Sequence, residues 1–112
     1  MNNVEDAVNN AVEKQHLTSG DTVNANTAMH MMDDVFKELQ KEAKTERGQG
    51  AKVSEADMKV AALKMESALK AYGVLDIEFF DSKNDDVAGK GDKISVTVND
   101  KWGSNDTVKT FN

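Results

Sequence analysis

The spacing of the apolar residues changes at Gly73, and this change constrains the fold more than any other feature of the chain. Before Gly73 the apolar residues recur every three or four positions, which is the period of an amphipathic helix. After it, beginning at Val74, they alternate with polar residues, which is the period of a strand with one buried face. The pattern predicts an α+β fold, in which three helices are followed by a three-stranded antiparallel β-meander packed on the helices.

The predicted elements divide the 112 residues into one domain and an N-terminal helix. We expect residues 21–112 to form a single α+β domain. Residues 1–20 are predicted to form a weakly docked helix or a mobile arm, because their apolar stripe contains only Val and Ala. The other predicted bounds are about 22–47 and 54–72 for the helices, and about 74–80, 93–99 and 107–111 for the strands.

The third helix has the clearest local signals. Ser54 is placed to cap the amide of Asp57, and Gly73 is placed to end the helix in the left-handed conformation. Val60 and Leu63 fall outside the main apolar stripe of this helix. We therefore expect helix 3 to be apolar on more than one side and to lie at the centre of the domain.

Composition excludes several classes of protein. The net charge is −6 and no basic stripe is present, so nucleic-acid binding is not expected. The absence of Cys excludes disulfides and thiolate zinc sites. No apolar run is long enough to span a membrane, and no Sec-type signal peptide begins the chain as given. We expect a cytoplasmic protein, or one exported by a route that needs no cleavable Sec signal.

The stretch between the first two predicted strands is rich in Asp, Asn and Gly and raises the question of a calcium site. As an EF-hand loop beginning at Asp81 it fails twice, because Lys83 stands where an oxygen ligand is needed and Asp86 where Gly is needed. These residue types are also the ones that turns select. We therefore predict a hairpin loop and no specific metal site, with four weak candidate ligands: Asp81, Asp85, Asp86 and Asp92.

A Met-His cluster on the second helix raises the question of a Cu(I) site, since thioethers and imidazole are ligands of that ion. On a helix, however, His30 points about 100° away from Met29. A packing surface rich in Met is therefore the preferred interpretation.

No reactive group of residues predicts an enzyme. His30 and Asp34 are four residues apart on one helix and could orient a general base, but no nucleophile motif, phosphate-binding loop or oxyanion motif accompanies them. We expect no catalytic activity and no cofactor.

The expected function is a non-catalytic protein–protein interaction domain or a small structural or assembly subunit, of a kind found in phage particles and signal-independent secretion. The alternative is a sensing module that binds Ca²⁺ or copper through the Asp-rich loop or the Met-His cluster. The partner is expected to be another protein or a second copy, in a homodimer formed through helix 2. Trp102 is expected either to cover the core or to anchor a partner. The candidate contact residues are Met29, Met32, Phe36, Leu39, Val60, Leu63 and Trp102.

Overall fold

A computed structural model describes residues 3–100 and 103–111 and shows helices packed on an antiparallel sheet, which confirms the predicted α+β class. Trp102 lies outside the described residues. In chain order the described elements are α1 (Asn3–Lys14), α2 (Ala25–Arg47), β1 (Val53–Ser54), α3 (Glu55–Leu69) followed by a 3₁₀ turn (Lys70–Tyr72), β2 (Val74–Phe80), β3 (Val87–Ala88), β4 (Lys93–Asp100) and β5 (Gly103–Thr110).

The main sheet has the strand order β2-β4-β5, with both pairs antiparallel. Its inner face carries alternating apolar residues that are buried against the helices. Leu75, which the alternation in the sequence places on the same face as Ile77 and Phe79, is instead 40% exposed, because the pairing of β2 is irregular between Val74 and Asp76.

β5 begins at Gly103, four residues before the predicted start at 107. The polar start of this strand is compatible with pairing because Thr97 Oγ1 donates a hydrogen bond to Asp106 Oδ1 across the ladder, at 2.7 Å.

A second, two-stranded sheet was not predicted. Val53 pairs with Ala88 and Ser54 with Val87, so β1 and β3 form a short antiparallel ladder. The backbone N–H of Glu55 also donates to the carbonyl of Asp86, at 2.9 Å. The loop between β2 and β4 is therefore attached to the start of α3.

Helix α3 contacts α1, α2, β1, β2 and β3, in agreement with its predicted central position, but it does not bury a second apolar side as expected. α2 contacts α1, α3, β1, β4 and β5, and it buries seven apolar residues. α3 buries one face only, while Val60 is 40% exposed and Leu63 is 62% exposed. The buried residues of α2 are Ala28, Met29, Met31, Met32, Val35, Leu39 and Ala43.

Helix α1 packs on both α2 and α3. Its buried residues lie on the face that the sequence indicates, at spacings of three, one and three residues. Polar contacts on the exposed side join it to α2, including a hydrogen bond of 3.1 Å from Asn10 Nδ2 to Glu38 Oε1. The buried side chains are small: Val4, Ala7, Val8 and Ala11.

The ends of α3 follow the sequence signals closely. Ser54 Oγ accepts a hydrogen bond from the backbone N–H of Asp57 at 3.0 Å, as the capping prediction requires. Gly73 has φ of 92° and leads the chain from the 3₁₀ turn directly into β2. These two ends fix the position of α3 relative to the sheet.

Candidate protein-interaction surface

The side of α3 that faces away from the core carries an apolar stripe. Ala56, Val60, Leu63 and Ser67 are all exposed and follow spacings of four, three and four residues. This is the spacing with which one helix packs against another at a shallow angle. We call these four residues the outer stripe. At its middle stand its two large apolar members, Val60 and Leu63.

A shallow groove runs beside the outer stripe, between α3 and α1. It has a volume of about 490 Å³ and is open to solvent along its length. The α1 side contributes Glu5, Val8 and Asn9. The α3 side continues the outer stripe towards the core, and its lining residues are Val60, Leu63, Lys64, Ser67 and Ala68.

Charged residues flank the outer stripe in a regular pattern. With about 100° per residue, Asp57 and Lys64 lie on the flank towards the groove, whereas Lys59 and Glu66 lie on the other flank. Among these four residues, each flank holds one acid and one base, seven residues apart, while Glu55 lies beside Lys59 on the same side of the helix. The sequence places the acid first on one flank and the base first on the other.

Two of these flanking groups also have contacts within the chain. Lys59 Nζ forms an ion pair with Glu55 Oε1 at 2.9 Å, and its side chain is 55% exposed. Glu66 Oε1 accepts a hydrogen bond from the backbone N–H of Ile77 on β2, at 2.9 Å. That bond positions Glu66 between α3 and the edge of the sheet.

The partner residues predicted on helix 2 lie elsewhere. Met29, Met32 and Leu39 are buried in the core, at most 5% exposed, because α2 is enclosed by both the other helices and the sheet. Phe36 is half-buried, and its ring stacks on Phe111 with a centroid distance of 4.9 Å. The side chains of helix 2 predicted to form a dimer face are thus engaged within their own chain, whereas Val60 and Leu63 are exposed.

The thioethers and the imidazole of the Met-His cluster lie in different environments. Met29, Met31 and Met32 are buried, while His30 is exposed. The helical period causes this separation, because His30 points to solvent while the three Met side chains point into the core. The imidazole and the thioethers therefore do not meet as ligands of one ion.

The loop between β2 and β4 does bring carboxylates together. One oxygen from each of Asp81, Asp85 and Asp92 lies within 4.8 Å of the other two, and Glu55, Asp81 and Asp86 form a second such group. Asp81 Oδ1 is enclosed and accepts no hydrogen bond from the described residues. Clusters of acidic side chains of this kind are common in exposed loops, and the grouping alone does not assign a metal.

The loop's own backbone accounts for most of these carboxylates. Asp92 is 1% exposed, and its Oδ1 and Oδ2 accept the N–H groups of Ser82 and Gly89 at 3.0 and 2.9 Å. Asp81 Oδ2 accepts the N–H of Asp86 at 2.9 Å. Asp85 Oδ1 accepts the N–H of Val87 at 3.3 Å. These are the bonds that Asp forms in turns, as the sequence predicts for this loop.

The charge on Asp81 reflects two opposing effects. Partial burial alone would raise the pKa of its carboxyl group. The hydrogen bond that its Oδ2 accepts from the backbone N–H of Asp86, at 2.9 Å, is among the local interactions that outweigh burial and lower the pKa. Asp81 is therefore held as a carboxylate that orders the loop.

Comparisons with known proteins assign no family to this chain. No protein-family model, no curated protein and no solved structure matches it. Within the described residues, no helix is both long enough and apolar enough to cross a membrane.

Sequence reasoning found half of the outer stripe. It singled out Val60 and Leu63 because they stand outside the core stripe of α3, but it assigned them to a central helix. It missed Ala56 and Ser67, because small residues of these types occur on exposed and buried helix faces alike and do not mark a surface. The missing signal was their spacing from Val60 and Leu63, which continues the same helical face.

Proposed function

We propose that the chain is a non-catalytic protein-interaction domain, acting as a small structural or assembly subunit, and that it docks on its partner through the outer stripe of α3. The observation that supports this is the exposure of Val60 and Leu63 on the helix face opposite the core. Removing apolar surface from water contributes roughly 25 cal/mol per Å². A partner that covers this face gains that contribution without any rearrangement of the core.

The shape of the surface favours a helical partner. Larger residues stand at the centre of the outer stripe and small ones at both ends, so a second helix can contact Val60 and Leu63 without obstruction by long side chains at the ends of the stripe. Helix-in-groove recognition uses anchors at this spacing. Within the part of the chain that the structure describes, the other exposed large apolar residues are Leu75, Phe80 and Val108, which lie singly among polar neighbours on the strands and form no comparable row.

A single introduced thiol tests the proposal, because the chain contains no Cys. Ser67→Cys, labelled with a photo-crosslinker, is expected to give one discrete cross-linked product in an extract of the cells that produce the protein. Thr110→Cys, an exposed position on the sheet, serves as the matched control and is expected to give no such product.

The same experiment includes its own specificity control. Leu63→Asp in the Ser67→Cys chain is expected to abolish the product, because it places a charge in the middle of the apolar row. Val108→Asp, which alters a residue that is 58% exposed on the sheet, is expected to leave the product unchanged. A product that persists in Leu63→Asp, or no product with Ser67→Cys, would overturn the proposal.

A further inference from the structure

We propose that the partner of α3 is a second copy of this chain, bound with the two α3 helices antiparallel about a two-fold axis. This inference rests on the proposed function, in which the outer stripe is a docking surface. The residues along α3 are self-complementary, and this self-complementarity indicates both the occupant and its orientation.

The outer stripe matches itself when the second helix runs in the opposite direction. With a two-fold axis near the middle of α3, Val60 packs against Leu63 of the partner subunit, and Ala56 against Ser67 of the partner subunit. Each large side chain of the stripe then meets a large one, and each small side chain meets a small one. This is the alternation of contacts that an antiparallel pair of helices makes at four-three spacing.

The flanking charges fit the same arrangement. A two-fold axis perpendicular to antiparallel helices brings each flank opposite the identical flank of the other copy. Asp57 then faces the partner's Lys64, and Lys59 faces the partner's Glu66. Symmetry doubles both contacts, so the helix pair has four pairs of opposite charge and no pair of like charge among these residues.

A parallel arrangement lacks this complementarity. In a parallel pair, the Lys59–Glu66 flank of one copy lies opposite the Asp57–Lys64 flank of the other copy. A residue on the first flank then faces the residue five positions later in the partner. Lys59 would then face the partner's Lys64, and symmetry would repeat that repulsion. Like charges at such positions weaken helix pairing and direct the choice of orientation. The charges on α3 therefore select the antiparallel dimer.

The contacts within each chain are compatible with this dimer. Lys59 is an ammonium group with three donors, so it can keep its ion pair with Glu55 while it contacts an acid across the interface. Glu66 uses Oε1 for the Ile77 N–H, and that bond holds the side chain at the flank of the stripe.

The size of the surface sets the expected affinity. α3 has fifteen residues. At about 1.5 Å per residue its length is roughly 22 Å. One helix pair of this length lies at the low end of specific interfaces, below roughly 1,200 Å² of total buried area. We expect a reversible monomer–dimer equilibrium with a dissociation constant in the micromolar range.

Sedimentation velocity of the purified chain, from micromolar to millimolar concentration, tests the inference. The expected result is a concentration-dependent shift from monomer to dimer. Leu63→Asp is expected to remain a monomer throughout, while Val108→Asp is expected to dimerise as the unaltered chain does. A chain that stays monomeric at all concentrations, or a dimer that is unaffected by Leu63→Asp, would overturn the inference.

Charge reversal tests the orientation. Asp57→Lys alone, or Lys64→Asp alone, creates two like-charge contacts in the antiparallel dimer, and each is expected to weaken dimerisation by about tenfold. Mixing the two variants restores opposite charges at both contacts, so an equimolar mixture is expected to form heterodimers with close to the original affinity. A mixture that associates no better than its components would exclude the antiparallel arrangement. Circular dichroism of each variant checks that α3 is intact.

The outcomes separate this inference from the proposed function. If the purified chain is monomeric while Ser67→Cys still gives a cross-linked product of a different mass, then α3 is a docking surface for another protein and the self-association is wrong. If neither dimer nor cross-linked product forms, both proposals fail.

Discussion

Asp76 on β2 lies beside two other carboxyl groups. Burial raises its pKa from the ordinary value of 3.8, and the negative charge of Glu78 together with the nearby Glu66 raises it further. A carboxyl group whose pKa is raised by folding binds protons more readily in the folded state than in the unfolded one. Its contribution to the free energy of unfolding therefore increases as the pH falls from neutral towards 3.8.

Asp76→Asn should consequently increase the free energy of unfolding at pH 7, because it removes a charge that is repelled by its neighbours but keeps the side-chain size. The gain should shrink as the pH is lowered, since the original carboxyl group is then itself protonated. Denaturant titrations at pH 7 and near pH 4 measure both differences. An Asn variant that is less stable at pH 7 would show that the fold stabilises the Asp76 carboxylate, and that folding lowers the pKa of this group instead of raising it.

At the scale of the elements, the loop between β2 and β4 is organised by one buried carboxylate. Asp92 accepts two backbone N–H groups from different parts of the loop, Ser82 and Gly89. The next residue, Lys93, begins β4, and the carbonyl of Asp92 accepts the N–H of Phe111. Asp92 thus joins the loop to the end of the sheet through its own hydrogen bonds.

Asp92→Ala should lower the free energy of unfolding by about 1 to 3 kcal/mol, because it removes a buried carboxylate that accepts two part-buried N–H groups and leaves them without that acceptor. The loss should be equal with and without millimolar Ca²⁺, and calcium should not change the melting temperature of the unaltered chain. Thermal melts in calcium and in chelator provide the measurement. A calcium-dependent rise in melting temperature that disappears in Asp92→Ala would establish a metal site in this loop.

The sequence predicts some elements well because their signals are local. The cap at Ser54, the end at Gly73 and the alternation in β4 depend on neighbouring residues only, and each is found where expected. The alternation in β2 is found from Ile77 onward, but not at Leu75. The β1–β3 ladder has two residues per strand, too few for any periodicity to show. The burial of Met31 and Val35 depends on which elements surround α2, which the residues of α2 do not encode by themselves.

The outer stripe of α3 could also be predicted only in part, because its exposure depends on how the other elements pack around the helix. The sequence marks Val60 and Leu63 as apolar residues outside the core stripe, but it does not say whether the sheet covers them. That depends on which side of α3 the strand β2 takes. Because β2 follows α3 through the turn at Gly73 and packs on the buried side of the helix, the opposite side stays exposed.

At the scale of the whole molecule, the core is distributed unevenly between the first helix and the rest. Among the described residues, α1 contributes four of the twenty-six buried apolar side chains, and all four are Val or Ala. The remaining twenty-two lie between Val23 and Phe111 and include every buried Met, Leu, Ile and Phe. The domain expected from the sequence at residues 21–112 therefore contains most of the apolar contacts.

Removal of residues 1–20 should leave a domain that unfolds cooperatively, at a lower melting temperature than the full chain. The loss arises from the α2 and α3 surfaces that α1 covers, while the contacts between α2, α3 and the sheet remain. A thermal melt of the truncated chain, followed by circular dichroism, gives the measurement. Loss of the cooperative transition would mean that α1 is an integral part of the core and that the first twenty residues are not a weakly docked helix.

The β1–β3 ladder has a consequence for the order in which the molecule folds. Its partners Val53 and Ala88 are thirty-five positions apart, and α3 and β2 lie between them. Two residue pairs cannot offset the entropy of closing so long a loop unless the intervening helix and strand are already in place. The ladder should therefore form after α3 and β2 have packed against each other. It should also be among the first contacts to open. The amides that it protects should then exchange with solvent through local opening and not through global unfolding.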